Sequence, residues 1–154
     1  MSDVRIALES PRQPPVERLI EALDAYQSAL YPAESNHFLS LDELCAGDVR
    51  FFVARAAGEP VGCIALKING REGEIKRLYV DPAGRGRGLG RRLLSALEEQ
   101  ARNEGLRVLR LETGVRQPEA IGLYRAAGYR ERAAFPPYQP DPLSLFMEKE
   151  IHRD

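Results

Sequence analysis

The sequence of 154 residues is poor in the residue types that mark several classes of protein. It has no tryptophan, two cysteines and two histidines. Cys45 and Cys63 are far apart and form no Cys-x-x-Cys motif, so a disulfide framework is implausible. His37 and His152 are isolated, whereas a zinc site requires about four grouped ligands. We therefore expect no metal site.

Features of secreted, membrane and nucleic-acid-binding proteins are also missing. No apolar run approaches the ~18 residues of a membrane span, and residues 1–10 contain no apolar core of signal-peptide length. Lys and Arg number 22, Asp and Glu number 23, and the net charge is −1, which argues against general binding to nucleic acid or membranes. These absences leave a soluble, reduced, cytoplasmic protein as the default expectation.

The chain does contain enough apolar sequence for one folded unit. It is 44% hydrophobic and has the length of an ordinary domain, so residues 1–154 are predicted to form a single domain. Runs of strand-forming residues predict strands at 4–8, 51–56, 61–68, 74–80, 108–112, 129–134 and 143–148. Helical spacing of apolar residues predicts helices at 14–30, 41–45, 88–103 and 119–127. The order β-α-α-β-β-β-α-β-α-β-β indicates an α/β fold with a single mixed, mostly antiparallel central sheet flanked by helices.

The most informative segment is a loop rich in glycine and arginine at residues 85–90. It reads Arg85-Gly86-Arg87-Gly88-Leu89-Gly90 and lies between a predicted strand and the start of a long predicted helix. Glycine lets the backbone approach a ligand closely and adopt positive φ values. The first turn of a helix presents unpaired N–H groups and the positive end of the helix dipole. The loop therefore predicts a phosphate or pyrophosphate site, with a connection of solvated arginines as the alternative.

Three phosphate-binding patterns compete for this loop. A Walker loop ends in Gly-Lys-Ser or Gly-Lys-Thr, which does not follow Gly90. A dinucleotide fingerprint requires Gly-x-Gly-x-x-Gly, but Arg91 occupies the position of the third glycine. The pattern Arg-x-x-Gly-x-Gly is satisfied by Arg85, Gly88 and Gly90.

Two segments together resemble a known family. Residues 74–94 are similar to the acetyl-CoA-binding core of the GNAT (GCN5-related N-acetyltransferase) superfamily, in particular its small stand-alone bacterial members. Residues 117–124, followed by Gly128 and Tyr129, resemble the family's second signature, in which a helix reads Asn-x-x-Ala-x-x-x-Tyr and ends at Gly and an aromatic residue. The predicted order of elements fits the family across nearly the whole chain.

The resemblance implies acetyl-CoA as the acetyl donor, with no metal. Backbone N–H groups of the loop would surround the pyrophosphate, and the strand backbone would pair with the amides of the pantetheine arm. Gln117 stands where the family usually has Asn. The implied cofactor-binding residues are Leu78, Tyr79, Val80, Arg85, Gly86, Arg87, Gly88, Leu89, Gly90 and Gln117.

The resemblance also implies catalytic residues. Tyr124 stands at the position of the family's usual general acid, which would protonate the leaving thiolate; a buried aromatic of the core is the alternative. An amine acceptor is protonated at neutral pH, so a carboxylate is needed to remove a proton. Glu74 is the predicted base, and Glu112 on the neighbouring strand is the reserve candidate. Alternatively, Glu74 is only a solvated charge at the end of a hairpin.

The acceptor side is the least specified part of the sequence. Candidate substrate residues lie on predicted loops, where they are equally consistent with ordinary surface residues: Tyr31, Glu34, Asn36, His37 and Tyr138. We predict transfer of the acetyl group to a primary amine of a small molecule or amino acid by direct attack in a ternary complex. A protein or peptide N-acetyltransferase and a non-catalytic CoA-binding sensor are the alternatives, and a homodimer is left open.

Overall fold

The computed structural model describes residues 4–36 and 39–151, and its elements follow the predicted order. The strands are β1 (Val4–Leu8), β2 (Val49–Ala56), β3 (Glu59–Asn69), β4 (Glu72–Val80), β5 (Val108–Gly114), β6 (Arg130–Arg132) and β7 (Ser144–Glu150). The helices are α1 (Pro14–Leu30), α2 (Leu41–Leu44), α3 (Leu89–Asn103) and α4 (Pro118–Ala126), with 3₁₀ turns at Ala33–Ser35 and Pro82–Gly84.

The seven strands form one sheet in the order β1-β2-β3-β4-β5-β7-β6. Every neighbouring pair is antiparallel except β4 and β5, which are parallel. Parallel neighbours need a long crossover, and α3 supplies it between these two strands. The predicted mixed, mostly antiparallel sheet is therefore confirmed.

The helices cover both faces of the sheet. Side chains alternate between faces along β3, so Cys63 and Ala65 pack with α1, whereas Ile64 and Leu66 pack with α3. The stripe of α3 that meets the sheet consists of Leu89, Leu93, Leu94, Leu97 and Ala101, all of which are buried. This is the apolar face that helical spacing predicts.

Element boundaries differ from the predictions by a few residues. The sixth strand is half as long as predicted, because β6 pairs with β7 only from Arg130 to Arg132 rather than over residues 129–134. Tyr129 is instead buried, and its hydroxyl donates to Glu98 at 2.8 Å. Within residues 4–36 and 39–151, no helix combines the length and apolar character that crossing a membrane requires.

Candidate functional site

The parallel pairing of β4 with β5 is short, and the site lies where it ends. The register runs only from Glu72 opposite Val108 to Ile75 opposite Leu111. Just beyond, β4 has an irregularity opposite Cys63–Ala65 of β3, and Arg77 adopts a φ of +61°. Such a bulge bends a strand and ends its pairing. The backbone of residues 76–80 consequently has no partner in β5.

Arg77 stabilises this bulge through its buried side chain. The guanidinium is 5% exposed, forms an ion pair with Asp24 of α1 and donates to the carbonyl of Leu39 at 2.7 Å. Burial lowers the pKa of Arg77 to about 10, so the group remains charged at neutral pH. A non-glycine residue in the left-handed region is unfavourable on its own, and these contacts from α1 and the following loop hold it there.

A long groove runs beside the free part of β4. Its walls come from α1 (Leu23 and Tyr26), the end of β4, the loop before α3, and the start of α4. Nine of the predicted cofactor-binding residues line it: Leu78, Tyr79, Val80, Arg85, Gly86, Gly88, Leu89, Gly90 and Gln117. Arg87 is the exception, because it is exposed and does not line the groove.

The loop presents backbone N–H groups at the start of α3. Gly88 caps the helix with a φ of +67°, and no side chain caps it. The first backbone hydrogen bond of the helix is donated by Arg92 N–H to the Gly88 carbonyl at 3.1 Å. Within the described part of the chain, the N–H groups of residues 88–91 therefore find no backbone acceptor. Together with the helix dipole, such groups can bind an anion.

An inner cavity opens beside the groove, between β4, β5, α4 and the segment after α1. Leu78, Gln117 and Ala120 line both spaces, so the groove and the cavity share a wall. The groove is lined by the loop before α3 and by apolar residues such as Leu23 and Leu123, with Arg85, Arg91 and Glu119 among them. The cavity is lined by Glu74, Lys76, Glu112 and Tyr124 among others. The structure thus brings the predicted base, its reserve and the predicted acid to one cavity.

Glu74 is engaged rather than solvated. Its Oε2 atom accepts a hydrogen bond from the Tyr138 hydroxyl at 2.5 Å and lies 3.3 Å from the ammonium nitrogen of Lys76. Lys76 also donates to the Tyr138 oxygen at 2.5 Å. The carboxylate side chain is 18% exposed. Burial, and next the Glu74 carboxylate, raise the pKa of Tyr138, because both disfavour a phenolate.

Glu112 presents a second carboxylate to the cavity. Its Oε2 atom accepts a hydrogen bond from the Ser144 hydroxyl at 2.8 Å. Glu112 lies on β5 beyond the last residue that pairs with β4. Sequence reasoning named this residue but did not find its partner, because Ser144 reaches it only through the pairing of β7 with β5.

Tyr124 lies in α4 and lines the inner cavity. The residue is 5% exposed, and its ring packs edge-on against Tyr129 at 5.7 Å between centroids. Burial raises the pKa of Tyr124, so the phenol keeps its proton at neutral pH. Among residues 4–36 and 39–151, no group forms a hydrogen bond with its hydroxyl. The donor is thus available to a ligand.

The predicted acceptor residues separate in the structure. Tyr31 and Asn36 line the inner cavity, whereas Glu34 and Tyr138 line another groove beside the β3–β4 hairpin. His37 lies outside the described residues. The segment after α1 is joined to the loop before β7 by a contact that local sequence patterns do not reveal. In this contact the Ser35 hydroxyl donates to Asp141 at 2.7 Å.

Cys63 belongs to the core that packs against α1 and does not line the groove or the inner cavity. The Cys63 thiol is fully buried in β3 and lies 3.2 Å from the Arg77 carbonyl. Burial raises its pKa to about 12, which keeps it protonated and unreactive. The described residues contain no group of three or more His, Cys, Asp or Glu side chains that could hold a metal ion.

Comparison with known proteins identifies the family. Residues 16–129 match the model of the acetyltransferase (GNAT) family. The chain therefore belongs to the GNAT family of acyl-CoA N-acyltransferases. It is 54% identical over 153 residues to a protein of Azospirillum brasilense named IAA acetyltransferase, a match that covers 98% of this chain and 100% of the relative.

Solved structures agree with this assignment. A crystal structure from Klebsiella pneumoniae, assigned as an acyl-CoA N-acyltransferase, superimposes with a TM-score of 0.81 at 44% identity, covering 96% of this chain and 97% of that one. The PaiA N-acetyltransferase of Thermoplasma acidophilum, crystallised in complex with coenzyme A, has a TM-score of 0.74 at 20% identity, covering 97% and 99%. At that identity the second likeness shows the fold alone.

Proposed function

We propose that this protein transfers the acetyl group of acetyl-CoA to a primary amine of a small molecule or amino acid, by direct attack within a ternary complex. One observation carries the proposal: a groove that presents free N–H groups adjoins a cavity that holds two carboxylates and an available phenol. The name of the Azospirillum relative supports acetyl transfer as the reaction.

The donor would occupy the long groove. Its pyrophosphate matches the N–H groups of residues 88–91 at the start of α3. The pantetheine arm carries two amides, and the backbone of Leu78, Tyr79 and Val80 offers partners where β5 does not. The thioester would then lie where the groove meets the inner cavity, near Leu78, Gln117 and Ala120.

The acceptor would occupy the inner cavity and lose a proton there. An alkyl ammonium group has a pKa near ~10.4, so it must be deprotonated before attack. Glu74 is the proposed base, acting directly or through a water. The contacts with Lys76 and Tyr138 hold Glu74 in place but also occupy its Oε2 atom. Glu112 is therefore the second candidate.

In the proposed step, the amine nitrogen forms a bond to the thioester carbon, and the bond from that carbon to sulfur then breaks. An ammonium acceptor loses two protons: the first goes to the carboxylate before attack, and the second leaves the nitrogen after its bond to carbon has formed. The thiolate of CoA takes a proton from Tyr124, and the second proton of the nitrogen restores the phenol. The buried, protonated phenol suits this role. No acetyl-cysteine is needed, since the Cys63 thiol is buried and protonated.

A thiol-release screen tests the proposed function. Acetyl-CoA would be presented with alkylamines, amino acids and short peptides, and each active mixture would be checked by mass for one added acetyl group. We expect turnover with amines or amino acids. Activity confined to peptides would show that the acceptor is a peptide or protein rather than a small molecule or amino acid. Tight CoA binding without turnover of any amine would favour a CoA-binding sensor.

A further inference from the structure

Tyr31, predicted as an acceptor residue, directs its hydroxyl at the donor side of the site. The residue follows α1 and is 7% exposed. Its oxygen accepts a hydrogen bond from the Arg116 N–H at 3.0 Å, and its hydroxyl donates to the Oε1 atom of Gln117 at 3.3 Å. Because a backbone N–H can only donate, the single phenolic proton is left for Gln117.

These contacts fix which way the Gln117 amide faces. The N–H of Gly114 also donates to Oε1, at 3.3 Å, so two donors converge on the same oxygen. An amide nitrogen could accept from neither donor, and the assignment of oxygen and nitrogen follows from that chemistry. The Nε2 group must therefore point away from Tyr31. Gln117 lines both the groove and the inner cavity, and within residues 4–36 and 39–151 its Nε2 has no hydrogen-bond partner.

The contact of Tyr31 with the β5–α4 turn depends on the absence of a side chain at Gly114. A Cβ atom at that position would collide with the Tyr31 hydroxyl and the adjoining ring carbon. The neighbouring Arg116 adds a second tie, since its Nη1 atom donates to the Leu30 carbonyl at 2.5 Å. These hydrogen bonds thus hold the segment after α1 against the turn before α4, next to Gln117, which lines both the groove and the inner cavity.

We propose that Tyr31 is a positioning residue that holds Gln117 so that its Nε2 group donates to a carbonyl of the bound acyl donor. That carbonyl is either the thioester or the nearest pantetheine amide. The identity of the donor rests on the function proposed above. Tyr31 would then affect binding of the acyl donor, although the sequence predicts it as a residue of the acceptor side.

Calorimetry of CoA and acetyl-CoA binding to the full chain tests this inference. Tyr31→Phe keeps the ring and removes the hydroxyl, and we expect Kd to rise about three- to tenfold, the worth of one hydrogen bond. Gln117→Ala should weaken binding at least as much. In the Gln117→Ala background, Tyr31→Phe should have no additional effect, because its effect passes through the amide.

The variant Gln117→Glu shows whether position 117 affects donor binding through its Nε2 group or through packing. A glutamate keeps the oxygen that accepts from Tyr31 and Gly114, so melting temperature should be retained, but it lacks the Nε2 donor and should bind CoA or acetyl-CoA more weakly. Equal losses with both ligands place the contact at the pantetheine amide, and a loss confined to acetyl-CoA places it at the thioester. Tyr129→Phe is the matched control, because it removes a buried hydroxyl bonded to Glu98 and should leave Kd unchanged.

Two results would overturn the inference. One is additive losses from Tyr31→Phe and Gln117→Ala, and the other is wild-type affinity in Gln117→Glu. Neither measurement uses an acceptor, so a screen in which no amine is acetylated would refute the proposed function and leave this inference standing. Additive losses in an enzyme that does turn over would refute only the inference.

Discussion

Replacing Tyr124 with phenylalanine tests the proposed acid with little disturbance of the fold. The ring keeps its edge-on contact with Tyr129. Because the described residues offer its hydroxyl no hydrogen-bond partner, the substitution breaks no bond within that part of the protein. The variant therefore does not lose the roughly 1 kcal/mol that a typical hydrogen bond adds to the free energy of unfolding. We expect the melting temperature to change by less than about 2 °C.

The rate of acetyl transfer should fall, because the departing thiolate loses its only proposed donor. A hydrogen bond to a charged group is worth about 1.5–3 kcal/mol, which corresponds to a slower chemical step by roughly 10- to 150-fold. Burial raises the pKa of Tyr124, so the wild-type phenol stays protonated between about pH 6 and 9. The loss should therefore be the same throughout that range.

Single-turnover transfer from two donors separates an acid from a positioning group. A thioester of a more acidic thiol needs less help to leave, so the variant should recover much of its rate with that donor. An equal loss with both donors would show that Tyr124 positions the substrate. An unchanged rate with acetyl-CoA would refute the catalytic role and leave Tyr124 as a residue of the core.

Three further substitutions test the base, the anion site and an ion pair. Glu74→Gln should lower steady-state turnover by roughly 10²–10⁴-fold at neutral pH, with a smaller loss at high pH where free amine is abundant; Glu112→Gln, assayed in the same way, should have the lesser effect. Gly88→Asp places a negative charge at the start of α3, and CoA affinity measured by calorimetry should fall at least about tenfold. Glu9→Gln removes the ion pair with Arg55, whose hydrogen bonds lower the pKa of Glu9. The stabilisation from the ion pair is present above the unfolded pKa of about 4.3 and is lost as pH falls through the lower folded value. Urea unfolding should therefore show a deficit of about 1 kcal/mol at pH 7 that shrinks as the pH is lowered below the folded pKa.

Each of these expectations has a result that contradicts it. Normal turnover of Glu74→Gln, with a large loss in Glu112→Gln, would transfer the base to Glu112. Wild-type CoA affinity in Gly88→Asp would move the pyrophosphate away from the loop. A deficit of Glu9→Gln that does not shrink at any acid pH where the protein stays folded would show that the glutamate acts by packing rather than by charge.

The order of elements could be predicted because local patterns determine it. The apolar stripe of α3 and the capping box in which Ser40 and Glu43 bond each other both lie within a few residues of sequence. The loop at residues 85–90 likewise predicts an anion site from local sequence, since a strand, glycines and a helix start follow one another directly. The family resemblance added the expectation that the backbone at the end of β4 pairs with the pantetheine arm, which no local pattern supplies.

Polar contacts between distant segments could not be predicted in this way. The approach of Tyr138 to Glu74, and of Asp24 to Arg77, depends on how loops and α1 cross the finished sheet. The requirement for glycine at position 114 is of the same kind, because it comes from Tyr31, a residue of another segment. Periodicity identifies which residues are buried but not which polar partners meet there.

The short parallel ladder divides the sheet into two blocks, β1–β4 and β5–β7. Four residue pairs join the blocks, against eight between β2 and β3. A cofactor that hydrogen-bonds β4 and contacts α4 would act as a cross-link between them. The free enzyme should therefore open more readily along this line than between β2 and β3, and binding of the donor should slow amide exchange in residues 76–80 and stiffen the walls of the inner cavity. Since the acceptor needs those walls in place, we expect donor to bind first and acceptor second.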